Sequence, residues 1–112
     1  MMRSSTFRLS GEFVAESCGG RIVQGDAVVA DAGASIDTRT IAGRQAFFAI
    51  RGERFDGHDF LAKAVEAGAV GLVVAEERVA EAIAAAARNP DGVFVVAVDD
   101  PARALGETAS NW

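Results

Sequence analysis

Cysteine, histidine and lysine each occur once in these 112 residues, tyrosine is absent, and proline occurs only twice. The single Cys18 cannot close an internal disulfide, which excludes a disulfide-stapled secreted scaffold. One cysteine and one histidine cannot build the usual structural zinc site. No stretch approaches the roughly 18 consecutive apolar residues of a membrane span, and the N-terminal Met1-Met2-Arg3-Ser4-Ser5-Thr6 has no apolar core of a secretory signal. A cytoplasmic protein with no membrane partner is expected. Phosphate-wrapping chemistry is missing too. The sole Lys63 follows Ala62, so no G-x-x-x-x-G-K-[ST] exists, and neither G-x-G-x-x-G nor G-x-S-x-G occurs.

What remains is ordinary globular material. Half the residues are hydrophobic and 24% are charged in a chain of 11.6 kDa, which suits one domain. The net charge is −5, against nucleic acid as a partner, because phosphate neutralisation needs a basic face. The charge is uneven, however. Residues 39–54 hold Arg39, Arg44, Arg51 and Arg54 against Glu53 alone, a local +3 that leaves −8 for the rest. Such a window fits a small anionic ligand, or simply solvated arginines.

Punctuation divides the chain into alternating elements. Ser10 is placed to cap a helix running to Cys18, with Phe13, Val14 and Cys18 on one face and Gly19-Gly20 as its stop. Short extended pieces follow at Arg21-Ile22-Val23, Ala27–Ala30 and Ser35-Ile36, with turns at Gly25-Asp26 and Gly33. From Gln45 the pattern changes to continuous apolar runs at 45–51, 69–75 and 93–98, separated by helical segments. Asp56 caps the first of these helices, which contains Phe60, Leu61, Ala64 and Val65 and ends at Gly68. The second spans Glu76–Arg88, with Val79, Ala80, Ile83, Ala84 and Ala87 on one side, and Asn89-Pro90-Asp91-Gly92 breaks it. Asp100-Pro101 opens the third, in which Ala102, Leu105, Ala109 and Trp112 keep helical spacing to the last residue, as at a domain edge or in a docked terminal helix. Apolar strands joined by helices imply βαβ crossovers. The expected fold is a three-layer α/β/α domain with a small irregular β region in the first third.

Two polar segments flank the apolar run Ala46-Phe47-Phe48-Ala49-Ile50: Ser35-Ile36-Asp37-Thr38-Arg39, and Arg51-Gly52-Glu53-Arg54-Phe55-Asp56-Gly57-His58-Asp59-Phe60. The second leaves a strand and enters a helix, where open α/β sheets bind ligands. Asp56 and Asp59 read as helix caps, His58 as structural or solvent-facing, and Phe47, Phe48 and Phe60 as core.

In combination, S-I-D-T-R-T, F-F-A-I-R-G-E-R-F-D-G-H-D-F and A-V-E-A-G-A-V-G-L-V-V resemble the N-terminal domain of the Mur ligases, most like the MurF type and next the MurE type. The likeness runs from the Ser10 helix to Ala104-Leu105. It implies a domain, residues 1–112, that binds the UDP end of UDP-N-acetylmuramoyl-tripeptide for an ATP-dependent ligase adding D-Ala-D-Ala during peptidoglycan synthesis. It places UDP-sugar contacts on Ile36, Thr38, Glu53, Arg54 and Phe55, with Arg39, Arg51 or Arg54 supplying charge to the diphosphate. Thr38 could equally end a turn, and Arg39 could pair with Asp37. No catalytic or metal residue and no cofactor is expected within these residues. ATP and Mg²⁺ belong to the full ligase, whose central and C-terminal domains would be partners. One departure stands out: Gly43-Arg44-Gln45-Ala46 occupies the place of the family's P-G-D-L, which alters a turn and puts the charge of Arg44 near the expected site. A stand-alone uridine-nucleotide module, or a structural domain with a decayed site, are the competing readings.

Overall fold

Ser10 accepts the backbone N–H of Phe13 at 3.0 Å, satisfying one of the free donors at the start of α1 (Gly11–Cys18). Gly19 ends this helix in the left-handed conformation, φ +71°. A similar arrangement starts α4 (Pro101–Ser110): Asp100 accepts from the N–H groups of Ala102 and Arg103, and Pro101 takes the first position. These caps fall where the sequence places them. The computed structural model describes residues 9–25, 28–41, 43–89 and 91–111. Asp26, Ala27, Pro90, Trp112 and the N-terminal segment 1–6, each used above, lie outside the described residues.

Among the described residues seven strands follow the order β1 (Leu9–Ser10), β2 (Arg21–Gln24), β3 (Val29–Ala30), β4 (Ala34–Ser35), β5 (Ala46–Phe48), β6 (Gly71–Ala75) and β7 (Phe94–Val98). Five of them form one sheet in the order β2-β7-β6-β5-β4. The pairs β4–β5, β5–β6 and β6–β7 are parallel, and β2 lies antiparallel beside β7. The helices α2 (Leu61–Glu66) and α3 (Val79–Ala86) are the crossovers from β5 to β6 and from β6 to β7. β1 and β3 pair separately as a two-stranded sheet. The irregular first third is therefore only partly a satellite, because β2 and β4 join the main sheet at its two ends.

Alternation along the strands sorts the core into two layers. Phe47, Leu72, Val74 and Val95 pack against Leu61, Ala64 and Val65 of α2 and against Ala82, Ala85 and Ala86 of α3. Phe48, Val73, Phe94, Val96 and Val98 face the opposite side, against Val14 and Ala15 of α1 and Ala104 of α4. This is the expected α/β/α arrangement. At about 25 cal/mol per Å² of buried apolar surface, each such Phe or Val contributes on the order of 2 kcal/mol. Among the described residues no helix is long and apolar enough to cross a membrane.

The buried side of α3 differs from the expected one. Ala82, Ala85 and Ala86 face the core, whereas Ile83 is 43% exposed and Ala80, Ala84 and Ala87 are exposed. Apolar periodicity is undecided in an alanine-rich helix, and the sheet selects the small side chains that let the helix approach. Glu76–Arg78 forms a 3-10 turn before α3 begins.

The altered turn at Gly43-Arg44 is built from two left-handed residues, φ +90° and +58°. Arg44 takes this conformation although it has a Cβ, and it is fixed there. Its N–H donates to Gly68 O at 2.8 Å, its Nε donates to Asp31 at 2.8 Å and its Nη2 to Val29 O at 3.1 Å. Gly68, φ +112°, is required beside it, since a Cβ there would lie 2.7 Å from the Cα of Gly43.

Candidate functional site

The loop after β4 is organised by Asp37. Its carboxylate accepts from the Arg39 backbone N–H at 2.9 Å, from Arg39 Nε at 3.0 Å and from Arg39 Nη2 at 2.8 Å. Ser35 Oγ donates to Asp37 O at 3.1 Å and accepts from Asp37 N at 3.2 Å, while the N–H of Thr40 donates to Asp37 O at 3.1 Å. The Arg39 side chain bonded to Asp37 holds its carboxyl down at about 2. The loop is thus a small self-contained turn, with Thr38 half-buried inside it and Ile36 49% exposed.

The loop after β5 closes on itself in a similar way. Arg51 and Asp56 form an isolated bridge, and the Gly52 N–H donates to Phe55 O at 2.7 Å. Gly57 N donates to Ile50 O at 2.9 Å, and a Cβ on Gly57 would meet Ile50 N at 2.8 Å. Asp56 then caps the 3-10 turn Gly57–Phe60 by accepting from His58 N. Burial pushes the Asp56 carboxyl up, but the His58 backbone N–H, the His58 ring and Arg51 outweigh it and hold the group well below the usual carboxylate range. Arg78 adds a further contact to Asp56 at 3.1 Å. Its guanidinium is held charged by Glu81 and by the carboxylates of Asp56 and Asp59.

Between the two loops lies a cavity of about 630 Å³, lined by Ile36, Asp37, Thr38, Arg39, Phe47, Phe55, Phe60 and Lys63. It opens where the chain leaves the parallel strands β4 and β5, the end of an α/β sheet at which ligands bind. Phe55 is 55% exposed and meets Phe60 edge-on, with ring centroids 6.1 Å apart. An exposed aromatic held against a second aromatic beside a cavity offers a flat ligand a stacking surface.

The structure brings together Ile36, Thr38, Arg39 and Phe55 of the expected contacts. Glu53 and Arg54 sit exposed on the turn between Gly52 and Phe55 and do not line the cavity. Arg51 turns to Asp56 and away from this cavity, and Arg44 is tied to Asp31. Phe60 is a half-buried wall of the cavity and not a core residue, because the 3-10 turn rotates it outward. Phe60 and Lys63 were missed as lining residues. Their spacing of three, one helical turn, on the segment after the second loop is the signal that could have found them.

A second cavity of about 330 Å³ lies near the C-terminal ends of β6 and β7, lined by Arg51, His58, Ala75, Glu77, Asp99, Asp100, Pro101 and Ala102. Three carboxylates face it, and Arg51 is already engaged by Asp56. Among the described residues no group of three His, Cys, Asp or Glu side chains is gathered to hold a metal ion. The sequence has no phosphate-wrapping glycine loop either, so the described residues offer Mg-ATP neither a phosphate cradle nor a carboxylate cluster.

A sequence profile described as "Mur ligase family, catalytic domain" matches residues 32–112. A UDP-N-acetylmuramoyl-tripeptide–D-alanyl-D-alanine ligase of Haemophilus influenzae is 33% identical over 109 residues, covering 97% of this chain and 20% of that protein. A UDP-N-acetylmuramoyl-L-alanyl-D-glutamate–2,6-diaminopimelate ligase of Aquifex aeolicus is 35% identical over 80 residues, covering 71% of this chain and 14% of that protein. The crystal structure of MurF from Acinetobacter baumannii superposes with a TM-score of 0.69 at 23% identity, over 96% of this chain and 21% of the other; it establishes likeness of fold. The chain therefore spans about a fifth or less of the length of these relatives.

Proposed function

The chain belongs to the Mur ligase family, and from that premise we propose that residues 1–112 form a domain that holds the UDP end of UDP-N-acetylmuramoyl-tripeptide for a cytoplasmic ligase adding D-Ala-D-Ala. The observation that carries this reading is the cavity between the Ile36–Arg39 loop and the Phe55–Phe60 segment. Its walls combine the rings of Phe55 and Phe60, suited to a uracil face, with the hydroxyl and backbone of Thr38, suited to base, ribose or phosphate. Arg54, exposed on the turn next to Phe55, is assigned in this reading to the sugar or diphosphate outside the cavity lining. ATP, Mg²⁺ and the joining reaction belong in this proposal to the central and C-terminal domains of a longer ligase. Binding energy at the UDP end assists amide formation only when the reacting end is positioned by the same protein.

The diaminopimelate-adding ligase is the second reading, favoured by the 35% identity to the Aquifex protein. Both readings share the UDP end, so both predict the same occupant of this cavity. They part at the peptide end. An in-frame continuation into a T-G-[ST]-x-G-K-T segment would join the domain to its ligase, and the purified ligase would then be assayed with D-Ala-D-Ala and with diaminopimelate.

Titration with UDP, UDP-muramoyl-tripeptide and ADP tests the site directly. The uridine compounds are expected to bind and ADP to bind more weakly. Thr38→Ala combined with Arg54→Ala should weaken uridine-nucleotide binding with the melting temperature nearly unchanged. Equal affinity for ADP, or loss of stability without loss of affinity, overturns the assignment.

A further inference from the structure

Lys63 is the only lysine in the chain, and it reaches the cavity from α2, one helical turn beyond Phe60. The lining holds three charged side chains: Asp37, Arg39 and Lys63. Asp37 and Arg39 neutralise each other through a two-pronged contact, Nε to Oδ1 at 3.0 Å and Nη2 to Oδ2 at 2.8 Å. Among the described residues nothing pairs with Lys63. The net charge of the lining is therefore the charge of Lys63. The other cavity is faced by Glu77, Asp99 and Asp100 and repels an anion. The guanidinium of Arg51 is held by Asp56 at 3.2 Å.

We infer that Lys63 supplies the positive charge that meets the phosphate oxygens of a nucleotide in this cavity, with Arg39 serving to shape the loop. The inference rests on the uridine-nucleotide reading and adds which residue recognises the anionic half of the ligand. An ammonium on a flexible four-carbon stem is a compact charge with three donors, and it can follow a diphosphate as it settles. Arg39, held by three bonds to one carboxylate, would have to break them first. The aromatic walls then take the uncharged half, so base and phosphate are read by different residues.

The test separates those halves. Uridine and UDP are titrated into the 112-residue chain and its variants and followed by NMR shift changes at low and at physiological salt. The wild type is expected to bind UDP more tightly than uridine, by a margin that shrinks with salt. Lys63→Met should reduce UDP affinity about fivefold or more at low salt, given the strength of bonds to charged groups, and leave uridine affinity unchanged. Lys63→Arg should retain most of the UDP affinity. As a second readout, acetylation of the Lys63 amine by N-hydroxysuccinimidyl acetate, quantified by mass spectrometry, should be slowed by saturating UDP and not by saturating uridine. Wild-type UDP binding that Lys63→Met leaves intact, or acetylation indifferent to UDP, overturns the role of Lys63 alone. Failure of the wild type to bind either uridine or UDP overturns the uridine-nucleotide reading and this inference with it.

Discussion

Asp56 Oδ1 lies 2.6 Å from His58 Nδ1, and the opposite ring nitrogen of His58 accepts the backbone N–H of Ala75 at 3.0 Å. A backbone N–H can only donate, so Nε2 carries no proton and the proton of the neutral ring sits on Nδ1, pointing at the carboxylate. His58 is 3% exposed. It is a strut between the loop after β5 and the end of β6, and both its nitrogens are occupied.

Replacing this strut is expected to destabilise the fold. His58→Ala leaves the buried Ala75 N–H without an acceptor and removes a donor from Asp56. A loss of about 2–3 kcal/mol is expected for an orphaned buried donor plus the vacated ring volume, read as a lower urea midpoint with unchanged slope. A midpoint shift near zero would show that water replaces the imidazole.

Acid stability should carry the signature of Asp37 and Asp56. Both carboxyls are lower in the folded chain than in the unfolded one, Asp37 down to about 2 through its bonds to Arg39. A depressed folded value gives stability that is present above the unfolded value, near 4, and fades as pH falls through the folded one. Thermal midpoints should thus decline steadily from about pH 4 toward pH 2. In Asp37→Asn the decline should be shallower, because one of the carboxyls held low in the folded chain, which also include Asp56, Glu76 and Glu81, is gone. Parallel curves for the variant and the wild type would contradict this.

Gly71 and Phe94 should behave as a coupled pair. A Cβ at Gly71 would lie 2.1 Å from the Phe94 ring, so Gly71→Ala should cost roughly 1–3 kcal/mol by overpacking. Phe94→Leu should cost a similar amount by leaving a void. Combined, the two should cost less than their sum, because the smaller side chain vacates the space that the new methyl occupies. Strict additivity in a double-mutant cycle would show that the sheet moves instead.

Arg44 holds a left-handed conformation by virtue of its side chain. Arg44→Ala keeps the unfavourable φ and loses the bonds to Asp31 and Val29, whereas Arg44→Gly loses the same bonds and relieves the backbone. Glycine should be the more stable of the two by about 1 kcal/mol in paired denaturation curves. If alanine is equal or better, the turn is not strained.

Much of this was legible in the sequence because it depends on local rules. Ser10, Asp56 and Asp100 cap where they were expected to, since a cap needs only its own side chain and the next two or three N–H groups. The three apolar runs became β5, β6 and β7 because apolar residues on both faces require two covering layers. The inward face of α3 was not legible, since five alanines in a helix carry no phase of their own and the sheet decides. The two loops of the candidate site were visible as polar interruptions at strand ends. Which arginines were already committed was only partly visible: the Arg39–Asp37 pairing lies two residues apart and could be named, whereas Arg44–Asp31 joins positions thirteen apart through the folded turn. Phe60 and Lys63 share one helical turn, a local signal, but nothing in a hydrophobic count distinguishes Phe60 as a cavity wall from a core residue.

The five-stranded sheet ends in β2 on one side and β4 on the other. The pairing of β2 shifts register between Ile22 and Gln24, and β4 is two residues long. A strand from another molecule docking at either end would meet an irregular or very short row of backbone donors and acceptors. The interior strands β6 and β7 can then be apolar along their whole length without making the molecule adhesive. Insertion of several β-forming residues into β4 would remove that protection and offer neighbouring molecules a template for edge-to-edge association.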